Sequence, residues 1–394
     1  MGFDGKNPSI PHQTKLRVSG AASAGRALSY CISHHGQVCN EVYQKQIVTM
    51  SMITPDHYKL YGFLMSPYSM KMRAYLRYRR IPFQWVTGEA ANNVAMTKVE
   101  PYMVPVLGYP DGSYVNDSSH LIADLEARYR DRSTTPESEA DAFLALLIED
   151  YADEWLVAPF FLYRWESEAD QTHNAQWIIY EYFRGNIGHD QFDTMAEMWR
   201  KRQTSLLSAV SGKPASYDMV KASLHELLAT MENAIRKRPF FFGSRPSSAE
   251  FAIFGMLSQL VQDLSANRFM RDQHPFTSRW VGVIDDISDF EGTWEPLCDQ
   301  PEHLMNSPVY ELLKLSGRYH LPMLLANQRA SQNQEKVYCF EVAGVPHERR
   351  VLPRFLPCLP ALQQHYNALS DSTKATLNPA LEDAGCLQFL NVKP

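Results

Sequence analysis

No apolar run in this chain approaches the ~20 residues that a bilayer-spanning helix requires; runs such as FLALLI from Phe143 and HLPMLLA from His320 fall well short. Positive charge is not in excess either. With 38 Lys and Arg against 44 Asp and Glu, the net charge of −6 argues against general attraction to nucleic acid or to an anionic membrane. The 6 cysteines are scattered and none stands in Cys-x-x-Cys spacing, which suits a reducing cytosol better than a disulfide scaffold. The first fifty or so residues contain no apolar segment of the secretory kind.

What is present is ample core material, 45% hydrophobic residues in 394, a length at which two domains with extensions are expected. Residues 1–54 differ from the rest: small polar residues dominate, Lys6, Lys15, Arg17 and Arg26 outweigh Asp4, and no periodicity is sustained. A disordered arm is expected there, or alternatively an organelle-targeting leader. Inside it CISHHGQVC brings Cys31, His34, His35 and Cys39 together, but their spacing matches no paired zinc pattern and no metal is expected.

The ordered part opens with YKLYGFL, a short alternating strand, followed by the turn Ser66-Pro67-Tyr68-Ser69. The turn has the outline of a redox Cys-x-x-Cys turn with hydroxyls in place of both sulfurs. A helix from Met70 to Arg80 and the strand IPFQWV complete a βαβ unit with parallel strands and a right-handed crossover. After a polar connection, VPVLGYPDGSYVND reads as a hairpin of Val104–Leu107 and Ser113–Val115, and Asp117-Ser118 supplies N-cap chemistry for a helix bearing Leu121, Ile122 and Leu125.

This order predicts an α/β thioredoxin-like domain at 55–130. A linker at 131–141 leads to an all-α helical-bundle domain at 142–330, and a C-terminal extension at 331–394 is expected to pack on it. Phe143, Leu147, Tyr151 and Trp155 recur at helical spacing, as do Leu224, Leu228 and Met231, and SSAE from Ser247 has capping-box spacing. The segment EDYADEWLVAPFFLYRW places Glu149, Asp150, Asp153 and Glu154 among aromatics. Trp155 and Phe161 are expected in the core, while Tyr163 and Arg164 are candidates for a substrate cleft.

Several stretches together resemble the glutathione S-transferase family between about Tyr58 and Ala326. SPYSMKMR resembles the Ser-Pro-aromatic turn of serine-type members, MVPVL the cis-proline strand, VNDSS the acidic-Ser pair, and RPSSAEFAIFGML the capped helix of the second domain. The resemblance implies glutathione as co-substrate, with Ser66 donating a hydrogen bond to its thiolate. Ser69 is the runner-up donor, and Tyr68 could offer a phenol or line the cleft. The backbone of Val104, kept open by Pro105 in cis, would pair with the cysteinyl residue, and Asp117 with Ser118 would hold the γ-glutamyl end.

Two other readings stay open: Ser66 and the Asp117-Ser118 pair as helix caps alone, and the whole chain as a non-catalytic binding or scaffold protein of the same fold. Without sulfur in the turn, mixed-disulfide exchange there is excluded and addition to a small electrophile remains. The expected partners are glutathione and that electrophile, with a homodimer allowed and neither nucleic acid nor membrane. Tyr102 and Met103 stand where the family often has a lysine, and ordinary members lack the C-terminal segment.

Overall fold

The computed structural model describes residues 57–299 and 301–391, all within one structural unit. The expected arm and the Cys31, His34, His35, Cys39 cluster lie outside the described residues.

Strand β1 (Tyr58–Tyr61) buries Tyr58 and Leu60 and exposes Lys59, as a half-buried strand should. Helix α1 (Pro67–Tyr78) returns the chain to β2 (Phe83–Val86), which pairs with β1 in parallel. Helix α2 (Glu89–Met96) crosses to β3 (Val106–Gly108), which runs antiparallel to β1 and continues into β4 (Tyr114–Asn116). The sheet order is β2-β1-β3-β4, and α3 (Ser118–Arg128) closes a thioredoxin-like α/β domain.

Several boundaries shift from the expected ones, α1 starting at Pro67 rather than Met70 and β2 at Phe83 rather than Ile81 among them, and two of the shifts have local reasons. The first strand ends at Tyr61 because Leu64 and Met65 give their backbone groups to side chains of the helical domain. The hairpin begins at Val106 because Pro105 has no N–H for the ladder. Helix α2, expected as a polar connection, is an additional element.

The helical domain consists of α4 (Glu139–Glu154), α5 (Val157–Trp165), α6 (Glu168–Phe183), α7 (His189–Thr204), α8 (Leu207–Val210), α9 (Tyr217–Ile235), α10 (Ser248–Leu260), α11 (Leu264–Gln273) and α12 (Pro275–Ile284). Further on come α13 (Pro301–Met305), α14 (Pro308–Leu315) and α15 (Leu321–Gln332). Helix α10 is buried along its whole length. Glu250 starts it, accepting from the backbone N–H groups of Ser247 at 2.8 Å and Phe241 at 2.5 Å. It packs so closely on α1 that a Cβ at Gly255 would stand 2.6 Å from the Pro67 carbonyl oxygen, so only glycine fits.

The extension is a hairpin of β5 (Val337–Val342) and β6 (Val345–Arg350), then α16 (Cys358–Ala368), α17 (Asp371–Asp383) and α18 (Leu387–Leu390). Ala343 and Gly344 turn the hairpin at φ 49° and 79°, the left-handed pair that a two-residue connection needs. The hairpin docks on the end of α4: the Trp155 ring lies 6.5 Å from Phe340 and 5.9 Å from His347. Glu139, at the start of α4, accepts hydrogen bonds from Ser370 (2.8 Å) and Thr373 (2.5 Å) beside α17.

Candidate active site

The sheet register gathers the expected residues at one end. Val106 pairs with both Tyr61 and Asn116. The segment leaving β1 toward Ser66, the segment entering β3 through Val104 and Pro105, and the segment leaving β4 into Asp117 therefore emerge from the same edge.

Ser66 is the N-cap of α1 and is half-buried. Its Oγ accepts from the Ser69 N–H at 3.3 Å. A hydroxyl has one proton as well as its lone pairs, so capping leaves the O–H free to donate outward, where the helix end adds partial positive charge. Ser69 is excluded as an alternative donor: it is fully buried beneath the helix, and a Cβ built on Gly62 would lie 2.5 Å from its Oγ. The Tyr68 hydroxyl donates to the Asp153 carbonyl at 2.8 Å, and burial pushes the phenol well above its ordinary pKa.

The Val104–Pro105 bond is cis. Val104 lies just outside β3, and its backbone makes no hydrogen bond to any described residue. Asp117 sits at φ 76°, ψ 111°, a conformation an L-residue keeps only when its surroundings hold it there. Its carboxylate accepts from the N–H groups of Ser119 (3.1 Å) and His120 (3.3 Å). Buried Ser118 keeps its N–H and hydroxyl free of protein partners among the described residues, at the positive end of α3.

Beneath this edge runs a network that the sequence reading did not single out. Lys71, 0% exposed, lies 2.6 Å from both Glu149 and Asp153 and 3.2 Å from the Ser119 hydroxyl. It ties α1, α4 and the first turn of α3 together. Glu149 and Asp153 stand four apart on one face of α4, a spacing that calls for a cation opposite. Burial raises the Asp153 carboxyl to about 6, with Glu149 adding and Lys71 opposing.

The other two candidates prove structural, a correction to the expected cleft. Arg164 is 2% exposed and paired with Asp263 at 2.8 Å, and it donates to the Met65 carbonyl at 2.9 Å. Gln259 donates to the Leu64 carbonyl at 3.0 Å, while Glu181 accepts from the Leu64 N–H at 2.5 Å. Arg164 thus clamps the backbone that presents Ser66. Tyr163 points into a separate cluster: its hydroxyl is 2.9 Å from His225 Nε2 and its ring 4.9 Å from Phe269. Trp155 and Phe161 are core, as expected. A cavity of about 770 Å³ lined by Leu64, Met70, Arg73, Phe254 and Gln262 shares none of the edge residues, and its Arg73 is committed to Asp285 at 2.6 Å. Among the described residues no group of acidic, His and Cys side chains has a metal-binding arrangement.

Glu154, next to Asp153 at the end of α4, is raised to about 8, first by burial and then by Asp150, Asp153 and Asp117, with Arg354 opposing. From an ordinary pKa of 4.5 to that value, the folded protein holds a proton that the unfolded chain releases. Stability therefore falls as pH rises through this window. Glu154→Gln is expected to flatten that decline, read as urea-unfolding free energy at pH 5 and pH 8. An unchanged slope would remove the assignment.

Two family models match, the glutathione S-transferase N-terminal domain over residues 60–133 and the glutathione S-transferase C-terminal domain over residues 214–282. The chain thus carries matches to both the N-terminal and the C-terminal domain of glutathione S-transferases, in that order. A search of curated proteins found no match. Similar solved structures include a glutathione S-transferase from Rhodospirillum rubrum F11 (17% identity, TM-score 0.39, covering 59% of this chain and 89% of that one). Others are the β-etherase LigF from Sphingobium sp. strain SYK-6 (16%, 0.41, 58% and 94%) and the transferase URE2P6 from Phanerochaete chrysosporium in complex with oxidized glutathione (14%, 0.38, 60% and 94%).

Proposed function

We propose that the protein binds glutathione along the edge from Ser66 through Val104 to Asp117 and adds its thiolate to a small electrophile. The observation that carries this is the convergence at one sheet end of a hydroxyl at a helix N-terminus, an unpaired strand backbone and a second helix N-terminus with an acidic cap. Each meets a different part of the tripeptide. Val104 offers its N–H and C=O to the cysteinyl residue, as an added strand would. The free N–H and hydroxyl of Ser118 take the γ-glutamyl carboxylate, and Asp117 takes the ammonium.

Ser66 then donates to sulfur. A free thiol of pKa ~8.5 is mostly protonated at neutral pH, and lowering it by two units requires roughly 2.7 kcal/mol. A hydrogen bond to a charged group contributes about 1.5–3 kcal/mol, and a helix end about 0.3–1 kcal/mol more. The two together suffice. The thiolate attacks the electrophilic carbon to form a C–S bond, and the displaced pair leaves with the leaving group or is protonated on the adduct. We place the protein in the cytosol, which its scattered cysteines without Cys-x-x-Cys spacing suit.

Titration calorimetry with glutathione tests the reading. Binding in the micromolar to low-millimolar range is expected; no heat from folded protein would leave a transferase fold without its ligand.

A further inference from the structure

The cavity between α1, α10 and α12 takes no part in the glutathione edge. It measures about 770 Å³, the size of a small-molecule site. Phe254 and Ser258 on α10, with Val261 just beyond, form one wall, and Met70 and Arg73 on α1 form the second. The third is a face of α12 and its C-cap, where Ser278, Arg279, Gly282 and Asp285 recur at helical spacing; Arg271 joins them from the last turn of α11.

The charge of this lining is unbalanced. Among the described residues it holds the guanidiniums of Arg73, Arg271 and Arg279 against a single carboxylate, Asp285. Both oxygens of that carboxylate are already taken, Oδ1 by Arg73 at 2.6 Å and Oδ2 by Arg77 at 2.9 Å. Arg73 keeps a buried Nε that finds no hydrogen-bond partner among the described residues. Arg271 and Arg279 make neither an ion pair nor a hydrogen bond to any described residue. A smaller cavity of about 390 Å³ shares Gln262 and Arg271 with the first and adds Arg268 and His173 to the same rim, against Asp272.

Gly282 is an independent observation. It stands inside α12, where glycine is the poorest ordinary helix former after proline, yet a Cβ there would meet nothing within 4 Å. Packing does not call for glycine at this position. An open mouth to the cavity does.

We propose that this cavity binds a small molecule carrying a phosphate monoester, with Arg271 and Arg279 holding the phosphate while Leu64, Met70, Phe254 and Val281 receive an apolar body. Two uncommitted guanidiniums match a dianion, and the phosphate oxygens suit the planar fork of each. A monoanion would leave one of them unanswered. The site is separate from the Ser66–Asp117 edge and does not depend on the glutathione reading.

The test is titration calorimetry of the full-length protein with phenyl phosphate, inorganic phosphate and benzenesulfonate. Phenyl phosphate should bind tightest, by about tenfold or more over either of the others. Arg271→Gln and Arg279→Gln should each weaken it by about tenfold or more, and Gly282→Leu, which narrows the mouth, should weaken it as well. Both arginines are exposed, so unchanged melting temperatures in their variants should separate lost binding from lost folding. Saturating glutathione should leave the titration as it is. Wild-type affinity in both arginine variants, or displacement by glutathione, would place the ligand elsewhere and overturn the site. Equal binding of benzenesulfonate would overturn the dianion, equal binding of inorganic phosphate would overturn the apolar wall, and no heat from any probe would overturn the whole proposal.

Discussion

Replacing Lys71 by Met is expected to destabilise the protein by about 3–5 kcal/mol at pH 8, because it strands two carboxylates in a buried site. Glu149 and Asp153 each lie 2.6 Å from the ammonium, and the lysine is entirely covered. The methionine fills much of the same volume, so packing alone does not account for the loss. At the scale of a chain this long the melting temperature should fall by roughly 5 °C. The deficit should shrink toward pH 5, since Asp153 already titrates near 6 beside the lysine and holds its proton more firmly without it. A second change, Asp153→Asn, should restore part of the stability at pH 8. Thermal melts of the three proteins at both pH values decide it, and a single variant that melts within two degrees of wild type at pH 8 would contradict the network's role.

The second large effect concerns Ser66. Ser66→Ala should lower conjugation about tenfold or more while glutathione affinity changes little, because Val104, Asp117 and Ser118 still hold the rest of the ligand. The cap bond from the Ser69 N–H is lost as well, which costs about 1 kcal/mol. A melting curve separates that loss from the catalytic one. Asp117→Asn should show the reverse pattern. Asparagine still caps Ser119 and His120, so stability should hold, but binding should weaken by roughly 1–3 kcal/mol as the charge facing the ammonium disappears.

The parts of the site that were legible in the sequence are those made by local chemistry. Ser66-Pro67 begins a helix, Pro105 stops a ladder, and Asp117 caps, all through groups within a few residues of one another. What was not legible depends on distant partners. Lys71 looked like one basic residue among several on α1, yet its carboxylates lie 78 and 82 residues away. Arg164 looked like a cleft residue beside aromatics, but Asp263 and Met65, each 99 residues away, make it a clamp. Helix α2 escaped notice because Asn92 and Asn93 are weak helix formers and Gly88 brings no capping side chain. A hydroxyl in place of a thiol could be read directly.

The most direct measurement is the pH titration of thiolate absorbance for glutathione bound to the wild-type protein, with free glutathione beside it. A bound thiol whose pKa lies one to two units below the free value, and which returns most of the way in Ser66→Ala, is the result this account predicts. A bound thiol that titrates with free glutathione, or a lowered value that Ser66→Ala leaves in place, would contradict it.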